Sequence, residues 1–273
     1  MINQFDPFNS RMQRGRDNGN NAARTEHTTN DAQGKKMYEN KEDHTKMFNI
    51  IILDRSGSMS SIKKQAVDGL NKTIGTIKSA QKENYKDQEH LVGIYAFCGC
   101  GIETLVCDEY CENVKEFSYD DYNPCCMTPL YDAMGNVLSY YEKMLSHIDD
   151  AVGVVTVITD GYENASKQYT EHDISKLISR LSEKGWLFTY IGTDHDVQKV
   201  AMSINITNTL KFEKTEEGTQ EMWEKENTSR QNYYSRMAEA RREAEQQEMS
   251  VDERNERYKK EQSNFFDEPD EKK

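Results

Sequence analysis

The stretch Phe48-Asn49-Ile50-Ile51-Ile52-Leu53, followed at once by Asp54-Arg55-Ser56-Gly57-Ser58, decides the fold. The first half is a short apolar run rich in β-branched side chains, which reads as a buried strand. The second half is polar and turns at Gly57. Beyond it Ile62, Ala66, Val67, Leu70, Ile74 and Ile77 recur at helical spacing. The same alternation continues along the chain. Residues 90–98 read as a strand with a hairpin partner at 101–106. Thr128-Pro129 opens a helix reaching about residue 145, with Thr capping and Pro at the first helical position. A strand is predicted over 152–159, an amphipathic helix over 173–184 ended by Gly185, a strand over 186–191, a helix over 194–204 and an edge strand over 209–212. Continuously apolar strands alternating with helices predict a doubly wound α/β fold: a mostly parallel sheet covered on both faces.

Composition places this fold in the middle of the chain. Hydrophobic residues are 35% and charged residues 30%, with a mean hydropathy of −0.94, too polar for a chain packed uniformly from end to end. The apolar runs fall within 47–212. Residues 1–46 read as a disordered or loosely ordered polar arm. Residues 213–273 read as a charged, helical tail whose weak apolar stripe (Met222, Trp223, Tyr233, Tyr234, Met237) fits a solvated helix or, more sharply, a docking helix. Phe265-Phe266 resembles a short linear motif. The 273 residues carry 35 basic and 48 acidic side chains, a net charge of −13, which argues against nucleic-acid or anionic-membrane partners. No run approaches the ~18 apolar residues of a membrane span. The first 21 residues contain no apolar stretch of secretory type, so the expected location is the cytoplasm and the expected state of the six cysteines is the thiol.

In a doubly wound sheet, ligands bind beyond the carboxyl ends of the strands where the strand order reverses. Asp54-Arg55-Ser56-Gly57-Ser58 follows one strand and Thr159-Asp160-Gly161 another; neighbouring strands at the reversal bring Asp54 and Asp160 into one crevice, beside the loop of Thr128. Each residue alone could simply end a strand or cap a helix. Together Asp54, Ser56, Ser58, Thr128 and Asp160 are five oxygen donors on one edge, the donor type of a hard octahedral cation such as Mg²⁺. Two carboxylates only balance a divalent ion, so an open position would still attract a third carboxylate from outside.

These segments resemble the von Willebrand factor type A (VWA) family over residues 47–212. The resemblance lies in D-R-S-G-S-M after an apolar strand, T-P-L-Y-D-A downstream and I-T-D-G after a second strand. The segments 159–166 and 185–192 resemble the small cytoplasmic members of bacteria and phages. The resemblance implies a metal-ion-dependent adhesion site. Ser56, Ser58 and Thr128 would be hydroxyl ligands of Mg²⁺ or Mn²⁺, and Asp54 and Asp160 would bind directly or through water. The open position would take a Glu or Asp of a partner protein. The resemblance implies a binding module and not an enzyme. Glu163, Asn164 and Asp194 are candidate residues of the partner-binding rim. The approach to Thr128 departs from the family's glycine-rich form and reads Pro124-Cys125-Cys126-Met127.

Two other functions compete. A Mg²⁺-dependent phosphoryl-transfer enzyme or phosphoacceptor would use Asp54 as nucleophile, although position 56 is Ser where a two-carboxylate loop needs a second acid. A structural or assembly component would work through the arm and tail. All six cysteines lie between positions 98 and 126, but their spacings match no common zinc pattern and enclose no His, so they are expected to be mainly thiols, two of them on or near strand ends packing as small apolar groups. In Thr193-Asp194-His195-Asp196 the expected roles are a helix cap at Thr193 or Asp194 and a solvated His195.

Overall fold

The computed structural model describes residues 29–30, 36–37, 44–83, 88–148, 150–193, 196–263 and 265–266. The deciding stretch forms β1 (Thr45–Asp54), buried along its whole length. A 3-10 turn (Gly57–Ile62) leads into α1 (Lys63–Glu83). The hairpin β2 (Gln88–Cys98) and β3 (Gly101–Tyr110) follows, then α2 (Leu130–Leu145) and β4 (Ala151–Thr159). The alternation continues with α3 (Glu171–Ser182), β5 (Leu187–Gly192), α4 (Val197–Ser203) and β6 (Asn208–Lys211). A two-residue antiparallel pair, Thr29–Asn30 with Lys36–Met37, precedes β1.

The sheet order is β3-β2-β1-β4-β5-β6, antiparallel only between β2 and β3. The crossover through α1 carries the chain to one side of β1, and the return through α2 places β4 on the other. The strand order therefore reverses between β1 and β4, where Leu53 pairs with Ile158 and Asp54 and Asp160 stand just beyond. Alternate side chains of β1 serve opposite faces. Met47, Ile51 and Leu53 pack with α1, whereas Phe48, Ile50 and Ile52 pack with α2 and α3.

The tail completes the first face. It forms α5 (Glu216–Gln246) and α6 (Val251–Lys260). Met222, Trp223, Tyr233, Tyr234 and Met237 are buried in the same cluster as α1, so the helix docks on the core and is not solvated. α1 admits it through Gly69, where a Cβ would lie 2.0 Å from the Trp223 ring. Phe265 and Phe266 are also buried, and Phe265 packs 6.0 Å from Tyr233, which removes them as an exposed linear motif. Arg230, wholly buried, pairs with Glu226 at 2.6 Å and reaches across to the sheet, donating to Thr156 Oγ1 (2.7 Å) and Asn49 Oδ1 (3.2 Å).

Two helix starts differ from expectation. Pro129, not Thr128, occupies the cap position of α2. The first free N–H groups of that helix are met by a different loop: Tyr131 N–H donates to Glu163 Oε2 and Asp132 N–H to Ser166 Oγ, each at 3.0 Å. At α4 the cap is Asp196, whose carboxylate accepts from Lys199 N–H at 3.1 Å. Asp194 and His195 lie outside the described residues. Gly185 stands beyond α3 at φ +84, a left-handed conformation that suits glycine. Among the described residues no helix is long and apolar enough to cross a membrane.

Candidate metal centre

The site is assembled from three loops at the carboxyl edge of the sheet. β1 delivers Asp54, fully buried, with both carboxylate oxygens engaged: Oδ1 accepts from Ser56 N–H and Oδ2 from Thr159 Oγ1, each at 2.7 Å. The Tyr122 hydroxyl donates to the Asp54 carbonyl and holds the strand end from below. The 3-10 turn then presents two serines side by side, with Ser56 Oγ and Ser58 Oγ 3.1 Å apart. Ser58 Oγ donates to Asp160 Oδ1 at 2.5 Å, which ties the first loop to the end of β4.

Thr128 is buried and joins the same group. A Cβ placed on Gly161 would lie 3.9 Å from both Ser58 Oγ and Thr128 Oγ1, which sets the two hydroxyls together beside the Asp160–Gly161 turn. Because Pro129 takes the cap position, the Thr128 hydroxyl is not used to start α2. The main chain of Thr128 is pinned from both sides by Asn164, which accepts from Thr128 N–H (3.0 Å) and donates its own N–H to Thr128 O (3.1 Å). Glu163 is consumed in the same way, accepting from the N–H groups of Tyr131, Ala165 and Ser166 and from Ser166 Oγ. Two of the three candidate rim residues, Glu163 and Asn164, thus hold the loop that carries Thr128.

The electrostatics favour a cation. Asp54 and Asp160 are both buried, and the Asp54 carboxyl is pushed up to about 6, chiefly by burial and in smaller part by the Asp160 charge, against the pull of its Thr159 and Ser56 hydrogen bonds. Lys214, from the segment between β6 and α5, places its ammonium 2.5 Å from Asp160 Oδ2. Among the described residues, one lysine against two buried carboxylates leaves a negative remainder. Two carboxylates and three hydroxyls, all hard oxygen donors, fit a small divalent ion. Ser58 is exposed, so the group opens to solvent on that side.

The surroundings hold residues that the motifs alone do not reveal. Thr159 orients Asp54, although its own place in T-D-G marks it only as the residue before an acid. Met127 and Tyr162, 59% and 58% exposed, stand next to Thr128 and two residues past Asp160. An open groove of about 970 Å³ runs alongside, lined by Tyr162, Thr193, Asp196, Val197, Phe212 and Lys214. Exposed apolar side chains at a polar edge are the signal that marks this rim, and exposure is invisible in sequence.

The sheet order, the crossovers and the position of the site define a doubly wound α/β protein with its polar centre at the topological switch point. More particularly, the fold is VWA-like. The zinc-loaded form of proximal thread matrix protein 1 from the mussel byssus, with zinc in its MIDAS motif, overlays with a TM-score of 0.50 at 16% identity, covering 66% of this chain and 47% of that one. The pilus adhesin SpaC of Lactobacillus rhamnosus GG in its open conformation gives 0.50 at 14% identity, covering 69% and 30%. The VWA domain of SpRpn10 gives 0.44 at 9% identity, covering 64% and 93%. The chain thus spans less than half the length of the byssus protein. No family model and no curated protein matches the sequence.

Proposed function

We propose that the chain is a divalent-metal-dependent protein-interaction module. Asp54, Ser56, Ser58, Thr128 and Asp160 hold Mg²⁺ or Mn²⁺, and the exposed side at Ser58 takes a Glu or Asp side chain of a partner protein. The observation that carries this reading is the meeting of two buried carboxylates and three hydroxyls from three loops at the strand reversal, with one lysine as the local positive charge. When bound, the ion supplies a Lewis-acidic position for an incoming carboxylate. The protein's own residues fix the loops, through Thr159 on Asp54 and Asn164 on Thr128, and surround the opening with Met127 and Tyr162. Asp194, beside the groove in sequence, belongs to the same rim in this reading.

The phosphoryl-transfer alternative is weakened by Asp54 itself. A nucleophilic carboxylate needs a free oxygen facing substrate, and Asp54 is fully buried with both oxygens accepting hydrogen bonds. An assembly role for the tail is weakened by the docking of α5 on the chain's own core. The cytoplasmic location and bacterial or phage origin expected from sequence belong to this proposal as its setting. The test is partner capture in Mg²⁺ and again in EDTA, with Asp54→Ala and Ser58→Ala carried alongside and circular dichroism confirming their fold. Capture abolished by EDTA and by both substitutions supports the reading. Capture indifferent to all three sinks it.

A further inference from the structure

Four of the six cysteines converge although they belong to two loops far apart in sequence. Cys98 ends β2, Cys100 sits in the turn to β3, and Cys125 and Cys126 precede Thr128. Their sulfurs form a chain of contacts: Cys98–Cys125 at 3.2 Å, Cys125–Cys100 at 3.9 Å and Cys100–Cys126 at 3.0 Å. The Sγ atoms of Cys98, Cys100 and Cys125 all lie within 4.8 Å of one another. Packing does not account for them, because Cys100 and Cys126 are exposed and Cys125 is half-buried, whereas thiols used as apolar filler are enclosed. The spacing argument misses the group because it seeks local zinc knuckles, while here the β2–β3 hairpin and the Thr128 loop meet only in the fold.

We propose that Cys98, Cys100, Cys125 and Cys126 form a structural binding site for one zinc-class ion, a soft divalent metal in tetrahedral thiolate coordination. A Zn–S bond of about 2.3 Å sets sulfurs about 3.8 Å apart in a tetrahedron. The Cys100–Cys125 pair already has that separation and the Cys98–Cys125 and Cys100–Cys126 contacts are closer by less than about 1 Å, while Cys126, which touches Cys100 but stands outside the 4.8 Å group of the other three, swings inward to close the tetrahedron. Sulfur ligands select zinc over the hard ions suited to the neighbouring oxygen site. Each thiol that coordinates gives its proton to solvent, so the filled site is anionic. The Arg55 guanidinium, 3.4 Å from Cys98 Sγ and also paired with Glu103, brings a positive charge that the thiolates and Glu103 share. Cys126 adopts φ +60, a left-handed conformation unfavourable for a β-carbon, and coordination would hold it there.

The location gives the ion a task. Cys125 N–H donates to Arg55 O (2.8 Å), Gly57 N–H to Cys126 O (3.1 Å) and Gly99 N–H to Met127 O (2.8 Å). An ion on the four sulfurs therefore locks the turn of β2–β3, the loop of Ser56 and Ser58 and the loop of Thr128 into one unit. The glycine-poor approach to Thr128 becomes a clamp in place of a flexible lead.

The test uses the full chain, reduced with a phosphine, titrated with Co²⁺ and then with Zn²⁺. The expected result is a sulfur-to-cobalt charge-transfer band saturating at one ion per chain, bleached by Zn²⁺, with Zn²⁺ also slowing thiol-reagent attack on Cys100 and Cys126. Cys100→Ser and Cys126→Ser change exposed residues that the core does not need. Each should weaken the ion by more than the roughly 10- to 100-fold that outer-shell substitutions cost. Asp54→Ala should leave the band intact, which separates this site from the oxygen site and its failure from the failure of the interaction reading. A folded, reduced chain giving no sulfur band overturns the proposal, as does a band indifferent to both serine substitutions.

Discussion

Two polar clusters stand on the same two strands, and they are built to opposite ends. At mid-sheet, Asn49 of β1 and Thr156 of β4 receive Arg230, which Glu226 neutralises and the Tyr234 hydroxyl supports, itself donating to Asn49 at 2.5 Å. Burial lowers the tendency of Arg230 to hold its proton, but Glu226 more than reverses this, so its ionised form is the favoured one. Five residues further along β1, the cation that pairs with the Asp54–Asp160 group among the described residues is Lys214, and burial pushes the Asp54 carboxyl up to about 6. One cluster closes its charge within the chain. The other is left short of positive charge and opens to solvent. A polar residue in a buried strand is therefore not by itself a functional signal; what distinguishes the two is whether the chain completes the balance.

The largest effect should come from breaking the closed cluster. Arg230→Met strands Glu226 without a counter-charge inside the core, and removing one partner of a buried pair typically costs about 3–5 kcal/mol. Urea unfolding should show that loss, and Glu226→Leu added to Arg230→Met should restore most of it. If the double variant is as unstable as the single, the pair is not what holds α5 to the sheet.

The open cluster should respond to ions instead. Mg²⁺ at 100 times its Kd should raise wild-type stability by about 2.7 kcal/mol. Asp160→Asn, which keeps an acceptor for Ser58, should remove that increment while the EDTA form melts as a folded protein. Thermal melts with and without Mg²⁺ read this directly, and an equal increment in the variant would place the ion elsewhere.

Acid separates the clusters by sign. His90 lies beside the closed one, its Nδ1 3.4 Å from Asn49 Nδ2, and its value is lowered to about 3, first by burial and then by the Arg230 charge. Its contribution is fully present above the unfolded value of about 6.5 and is lost as pH falls toward 3, at about 1.4 kcal/mol per unit. Asp54 runs the other way without metal: a raised carboxyl favours the fold below about 3.8, and that gain is lost as pH rises through 6. Between pH 6 and 4 the two oppose each other. Asp54→Asn should therefore steepen the acid loss of stability in EDTA, and His90→Gln should flatten or invert it. Denaturant midpoints taken across that window decide it, and parallel profiles for all three chains would refute the assignment.

Much of this was readable from the chain. The strands and helices from β1 to β6 follow the apolar periodicity, and D-x-S-x-S at the end of β1, T-D-G at the end of β4 and Thr128 before α2 come together at one sheet edge. The tail was harder, because α5 buries two arginines, a glutamate and two tyrosines along with its few aliphatics, so its stripe reads as weak. Asn49 and Thr156 interrupt their strands to receive Arg230, some 180 residues on for Asn49, and His90 packs beside Asn49 and Tyr234, pairings no local pattern contains. Glu163 and Asn164 lie at the rim in sequence but are spent on the loop of Thr128, since only the fold brings 128–132 against 163–166. The four cysteines were dispersed by the same limit.

Lys214 offers the smallest and sharpest test of the comparison. Its ammonium, about a fifth exposed, makes an ion pair with a carboxylate that the proposed metal also uses. The two cations compete for Asp160 Oδ2, so the lysine must swing away, or share that carboxylate, when the ion enters. Partly exposed pairs are worth up to about 1 kcal/mol, a factor of about five in affinity. Lys214→Met should therefore tighten Mg²⁺ binding by up to about fivefold in a calorimetric titration, with Lys214→Arg close to wild type. The same substitution should lower the stability of the EDTA form slightly, because the metal-free carboxylates lose their counter-charge. If Lys214→Met instead weakens the ion, the lysine assists the site, and the chain completes this cluster as fully as the one at mid-sheet.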